Sequence, residues 1–274
     1  MSKPSKKPTP RIHSEEIKEN FNLKPITPEA IFSFACHSGV SCFNKCCHDI
    51  DVILTPVDIL QMKTSLNISS DVFLKKYTTF QTLKGTSIPL VKLLMQENSN
   101  GACIFLNVTK GCSIYQNRPQ VCRSYPLGLG TLDPRHAQFQ TEGQSPEARF
   151  MIQEDMCMGH REPNTWTLKK WEEDQGTVEM EKGNKPWMEI VAKLKSMKIN
   201  DQQNHEINLF IMASYDLDTF RQFVFESSFL ERFEVDKNTE KLIHSDQESL
   251  LKFGMEWLQF ALFNEGMIRP KVKK

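Results

Sequence analysis

Polar and apolar positions divide the chain into three stretches. In residues 1–30, Lys3, Lys6, Lys7 and Arg11 are interspersed with Pro4, Pro8 and Pro10, a composition that cannot bury enough apolar surface to order itself. The pattern predicts a flexible basic tail. From Ile31 the chain turns apolar. Asp51-Val-Ile-Leu54 predicts a short strand that delivers the chain to Thr55-Pro-Val-Asp58. There Thr55 can cap a helix, Pro56 suits its first turn and Asp58 makes an Asp variant of the capping box. A helix over 56–66 follows, and Ser70 with Asp71 opens another through Tyr77. The apolar runs over 87–96 and 102–107 predict strands, with a turn over 108–111 between Asn107 and Cys112. This hairpin would set Cys103 and Cys112 at neighbouring positions on adjacent strands. Pro119 fits the start of a short helix carrying Cys122, and Gly128-Leu-Gly130 reads as a turn.

Beyond Cys157 the period changes. Helices are expected over 165–175, 185–197, 217–226 and 247–263, the last two with apolar residues at three and four spacing: Phe220, Phe223 and Val224, then Leu250, Phe253, Trp257 and Phe260. Such a stripe is core, not a ligand box. No repeat of 20–50 residues is evident. The expected class is α+β: a tail (1–30), a small cysteine-rich, metal-organised α/β region with short strands (31–164) and a mostly helical C-terminal part (165–274).

Composition narrows the function. The 274 residues carry 34 Lys and Arg against 34 Asp and Glu, giving zero formal charge, so no global field draws in nucleic acid or anionic lipid. The basic start has no apolar segment behind it, and no window approaches the ~18 apolar residues of a membrane span. A cytoplasmic, reducing location is expected, with no nucleic-acid or membrane partner, while a protein partner stays open. In that setting eight cysteines read as metal ligands rather than disulfides. All eight lie between Cys36 and Cys157.

Cys36, Cys42, Cys46, Cys47, Cys103, Cys112, Cys122 and Cys157 are therefore the candidate metal ligands. Thiolates are soft donors suited to zinc or an iron-sulfur cluster, not magnesium or calcium. Only Cys42-Phe-Asn-Lys-Cys46 has the spacing of a zinc knuckle, and the remaining single cysteines suit a wrapped cluster better than a ribbon. An iron-sulfur cluster is preferred, with zinc as the alternative. Cys46 and Cys47 are adjacent, and neighbouring side chains diverge in strand and helix alike. Either they serve two centres, or one ligates while the other packs or takes part in redox exchange. His37, His48 and His160 stand near cysteines as outer-sphere or exposed residues. Arg118 and Arg123 flank Cys122, where they could offset thiolate charge or simply face solvent.

Cys42-FNK-Cys46-Cys47, Leu54-Thr-Pro-Val-Asp58, Cys103-IFL, Gly111-Cys-Ser-Ile-Tyr115, Arg118-Pro-Gln-Val-Cys-Arg-Ser-Tyr-Pro126 and Cys157-Met-Gly159 together resemble the YkgJ-like cysteine cluster proteins, the CxxCxxCC zinc- or iron-chelating family. The resemblance covers 31–162. The family's first motif is tighter and often has glycine before the double cysteine, whereas Lys45 stands there here, which makes Cys36 the weakest of the candidate ligands. The resemblance implies metal binding. Some related sequences are flagellin lysine methylases, so an enzyme using the cluster, methyltransferase-like or redox, is the alternative function; no catalytic residue is implied by any matched motif. Neither a convincing S-adenosylmethionine loop nor a radical-type cysteine triplet is present in the sequence.

Overall fold

The computed structural model describes residues 24–131, 147–197 and 204–271, so most of the expected tail lies outside the described residues. In chain order the strands are β1 (Lys24–Pro25), β2 (Ile31–Ser33), β3 (Ile53–Leu54), β4 (Thr78–Thr82), β5 (Pro89–Leu93), β6 (Met95–Gln96), β7 (Ala102–Cys103), β8 (Leu106–Asn107), β9 (Gly111–Cys112), β10 (Leu127–Thr131), β11 (Glu147–Met151) and β12 (Thr165–Thr167). The helices are α1 (Pro56–Ser65), α2 (Ser70–Tyr77), α3 (Gln120–Ser124), α4 (Leu168–Gln175), α5 (Thr177–Ser196), α6 (Asn204–Tyr215), α7 (Leu217–Glu226), α8 (Phe229–Arg232), α9 (Lys237–Ser245) and α10 (Gln247–Phe263). The fold is α+β, with short strands in small sheets first and helices after. No described helix is long and apolar enough to cross a membrane.

Two compact units emerge, each built from three stretches of chain. The first takes the residues through Asp51, Met95–Ser113 and Val121–Gly176. Its sheet β1-β11-β10 is antiparallel, with Leu127 opposite Met151 and Thr131 opposite Glu147. β2 pairs with β12, setting Phe32 opposite Trp166. Phe32, Phe34, Leu127, Met151 and Trp171 form the core. The Phe34 and Trp171 rings meet edge to face at 5.5 Å, and the two indole N–H groups donate to backbone carbonyls, Trp166 to Phe34 at 2.8 Å and Trp171 to Ser124 at 3.1 Å. A buried indole needs such a partner.

The second unit takes Val52–Leu94, Ile114–Gln120 and Thr177–Lys274. It joins the sheet β3-β5-β4 with α1, α2 and α5–α10. Phe73, Phe210, Tyr215, Phe220, Phe229 and Leu250 are almost wholly buried, so the aromatic stripe of α7 and α10 is core. Asp58, 1% exposed, completes the capping box with Thr55, and its other oxygen accepts the Gln120 N–H at 2.7 Å at the start of α3. One carboxylate thus serves two helix N-termini.

Several elements differ from the sequence expectation. Gly128-Leu-Gly130 is strand β10, not a turn. A Cβ on Gly130 would lie 3.0 Å from the Phe150 ring and one on Gly128 3.1 Å from Ile152; the glycines leave room for those side chains. The hairpin pairs Leu106, not Cys103, with Cys112. Asn107 Oδ1 accepts from Thr109 and Lys110 N–H, and Gly111 has φ +84°, so the turn closes tightly and leaves Cys103 in β7 opposite Met95. The helix expected over 165–175 starts at Leu168 because its first three residues pair as β12, and Thr167 accepts the Lys170 N–H as its cap. Helix α5 begins at Thr177 and runs through Gly183 and Pro186, residues whose helix-breaking character disguises its first turns.

Candidate metal centre

All eight cysteines lie in the first unit, and none is in a disulfide. Between Cys36 and Cys47 the chain folds as successive turns: Val40 N–H donates to His37 O, Phe43 to Val40 O, Lys45 to Cys42 O and Cys47 to Asn44 O. Asn44 takes the left-handed conformation at φ 68°, which Asn tolerates better than most residues. From there it redirects the chain into the 3-10 turn Lys45–Cys47 and donates through Nδ2 to Val108 O at 3.1 Å, inside the β8–β9 turn that precedes Cys112. His48 pairs with Ala102, and Asp49 N–H donates to Gly101 O at 2.9 Å, fixing the same turn to β7 and Cys103. Local turn chemistry therefore brings three cysteine segments into one neighbourhood.

Cys157 is attached to the Cys36 segment by a glycine. Ala35 N–H donates to Gly159 O, and a Cβ on Gly159 would lie 2.7 Å from Ala35 O and 2.8 Å from the Phe34 ring. Only glycine permits that approach. Met158 N–H in turn donates to Cys42 Sγ at 3.1 Å. Cys122 sits on α3, whose next residue, Arg123, donates to Gln175 O. Arg118 stacks 3.8 Å over the Tyr115 ring.

The thiols sense one another. Cys46 is lowered to about 7, first by a hydrogen bond from Cys47, which outweighs the upward push of desolvation. Cys47 is driven far up by making that bond, by burial and by negative charge at Cys46, Cys103 and Cys122. Burial raises Cys103 against a Phe105 N–H donor, and a charge at Cys112 raises it further. Burial raises Cys157 against donors from Tyr125 and the Gly159 backbone, with Cys42 and Cys46 adding to the rise. Cys47 thus feels charge at Cys103 and Cys122, Cys103 feels charge at Cys112, and Cys157 feels charge at Cys42 and Cys46.

The array is gathered but open. Among the described residues no three His, Cys, Asp or Glu side chains converge closely enough to hold an ion. The four-sulfur convergence expected from the sequence is not closed in this conformation.

His160 and Tyr125 border the same region. Burial lowers the imidazole's pKa against a hydrogen bond to the Ile152 carbonyl, and Nε2 is buried without a partner among the described residues. His37 Nε2 contacts Glu162 at 3.2 Å, while His48 Nδ1 meets Asn44 O at 3.1 Å. The histidines thus engage protein groups other than the sulfurs. Sequence reasoning gave no role to Tyr125, although it stands in the Arg-Ser-Tyr-Pro segment, or to the N–H donors of Phe105, Met158 and Gly159, which no side-chain pattern reveals.

Residues 35–158 match a family described as "CxxCxxCC: Putative zinc- or iron-chelating domain". This stretch, less than half of the chain, is similar to a CxxCxxCC domain. It contains every cysteine of the chain, and chelation of zinc or iron is the role the family's description gives it. No curated protein and no solved structure matches the chain.

Proposed function

We propose that the CxxCxxCC domain carries an iron-sulfur centre, with zinc as the alternative metal, on ligands drawn from Cys36, Cys42, Cys46, Cys47, Cys103, Cys112, Cys122 and Cys157. One observation carries the reading: Met158 N–H, from a segment far along the chain, donates to Cys42 Sγ at 3.1 Å, while the Phe105 and Gly159 N–H groups, each two residues on, pull down the Cys103 and Cys157 thiols. Such donors stabilise thiolates far more than thiols. The donor set of cysteine sulfurs fits a soft metal.

Within the domain the chain's own residues divide the work. Cys46, with its lowered pKa, is the first sulfur ready to bind, and Cys47 gives up its proton only as charge is neutralised nearby. The turns at Asn44 and Gly111 hold the Cys42–Cys47 and Cys112 segments together, and Gly159 holds Cys157 against the Cys36 segment. An iron-sulfur cluster would supply one-electron chemistry, whereas zinc would supply a structural lock. A reducing cytoplasm suits the unoxidised thiols. No observation in the described residues favours the methyltransferase-like or redox-enzyme reading over metal binding itself.

The test is anaerobic purification followed by visible absorption and iron, sulfide and zinc analysis. A brown protein with stoichiometric sulfide is expected. A colourless protein holding zinc would reverse the choice of metal, and a protein holding neither would overturn the reading.

A further inference from the structure

We infer that the free edge of β2 is a peptide-binding site: it takes an extended, uncharged segment of a partner protein as an added strand, with one apolar side chain of that segment in the adjoining cavity.

The edge follows from the alternation of main-chain bonds along the strand. Among the described residues β2 pairs with β12 alone, in a two-stranded antiparallel sheet. Phe34 N–H donates to Asn164 O at 2.9 Å, and the bonds of an antiparallel ladder fall on every second residue. The ladder therefore uses Phe32, opposite Trp166, and turns the N–H and C=O groups of Ile31 and Ser33 the other way. Ala35 N–H, on that same outer edge, already donates to Gly159 O. Beside it the Ile31 and Ser33 main-chain groups have no partner among the described residues. Open strand edges are commonly blunted by charge or proline. Here β2 reads Ile-Phe-Ser, and Ile31 is 71% exposed.

A cavity of about 390 Å³ borders the edge, lined by all three residues of β2 and by Ile26, Ala30, Met151, Gln153 and His160. That volume falls within the roughly 300–1,000 Å³ of ligand sites. Among the described residues no Lys, Arg, Asp or Glu lines it, so a charged group entering it would lose hydration without compensation. Two donor–acceptor pairs at strand spacing match a peptide main chain better than they match a small molecule. Residues opposite one another on paired strands share a face. An added residue opposite Phe32 would thus face the side on which Phe32 is buried, and its two neighbours, opposite Ile31 and Ser33, would supply the main-chain bonds. The recognised unit is three residues with an apolar one in the middle.

The experiment titrates full-length protein with acetyl-Gln-Thr-Leu-Thr-Gln-amide by calorimetry and follows backbone hydrogen exchange over residues 31–33 by fragment mass spectrometry. Saturable binding with slowed exchange at Ile31 and Ser33 is expected. N-methylation of both threonines, whose N–H groups would face β2, should weaken binding roughly tenfold or more, whereas N-methylation of the leucine, whose N–H would face away, should change it by less than about twofold. Aspartate in place of the leucine should abolish binding. Ser33→Pro removes one edge donor where an edge strand tolerates proline, and it should weaken the parent peptide; should that variant fail to fold, the methylated peptides decide the matter on wild-type protein. Absence of saturable binding or equal loss from both methylation patterns overturns the inference. So does equal affinity for acetyl-leucine-amide, which would make the cavity a small-molecule site, or peptide-independent protection of residues 31–33 that grows with protein concentration, the sign of β2 pairing with a second copy.

Discussion

Cys122→Ala is expected to lose most of its metal. Cys122 lies on α3 near Cys47, and a charge there is felt at the Cys47 sulfur together with that of Cys103. Removing one thiolate from such a set should weaken metal affinity by more than the roughly 10- to 100-fold that loss of an outer-sphere partner costs. Cys46→Ala should be comparably damaging, because it removes the most acidic thiol and the acceptor of the Cys47 hydrogen bond. Cys36→Ala should be the mildest of the series. Cys36 is exposed at the start of the run of turns, and its spacing fits the family's first motif least well. Metal content per chain, measured after identical purification, ranks the eight variants. Full retention in Cys122→Ala would refute the ranking.

The largest stability effect is expected in the second unit, at Asp218→Ala. The Lys63 side chain is 3% exposed, and its ammonium is held by Asp218 Oδ2 at 2.8 Å. The same oxygen accepts Ser70 N–H at 2.6 Å and Ser70 Oγ–H at 2.7 Å, linking α1, α2 and α7. Alanine would leave a buried cation without its counter-charge, a change that costs about 3 kcal/mol, the low end for broken buried pairs because Asp218 itself is partly exposed. Urea unfolding should show it as a lower midpoint with the same slope.

The pH dependence has a definite sign. Burial pushes the Asp218 pKa up, but the bonds from Lys63 and Ser70 outweigh it, and the net shift is down. A depressed carboxylate contributes stability that is fully present above its unfolded value of about 3.9 and is lost as pH falls through the folded value. Wild type and Asp218→Ala should therefore differ most above about pH 4 and converge in stronger acid. A gap that widens on acidification would contradict the ion-pair account.

Local signals in the sequence were read well where one residue controls one bond. Thr55, Pro56 and Asp58 specify the start of α1, and the apolar spacing of α7 and α10 gives both helices residue for residue. Signals failed where a partner decides. Gly128 and Gly130 look like turn residues until Ile152 and Phe150 occupy the space they leave. Gly183 and Pro186 look like breaks, yet α5 continues past them, and nearby Asn184, 3% exposed, accepts the Val57 N–H and donates to Gln120. The cysteines were legible as a set because thiols are few and chemically distinct. Their arrangement was not, since it depends on the left-handed turn at Asn44, the tight hairpin at Gly111 and the backbone approach at Gly159, three conformations whose purpose only the folded chain discloses.

X-ray absorption at the metal edge of the protein as isolated tests the central claim most directly, because it counts sulfur neighbours without needing to know which cysteines supply them. About four sulfur atoms near 2.3 Å from each metal are expected for thiolate or sulfide ligation. A shell of nitrogen or oxygen near 2.0–2.1 Å, with one sulfur or none, would contradict the account.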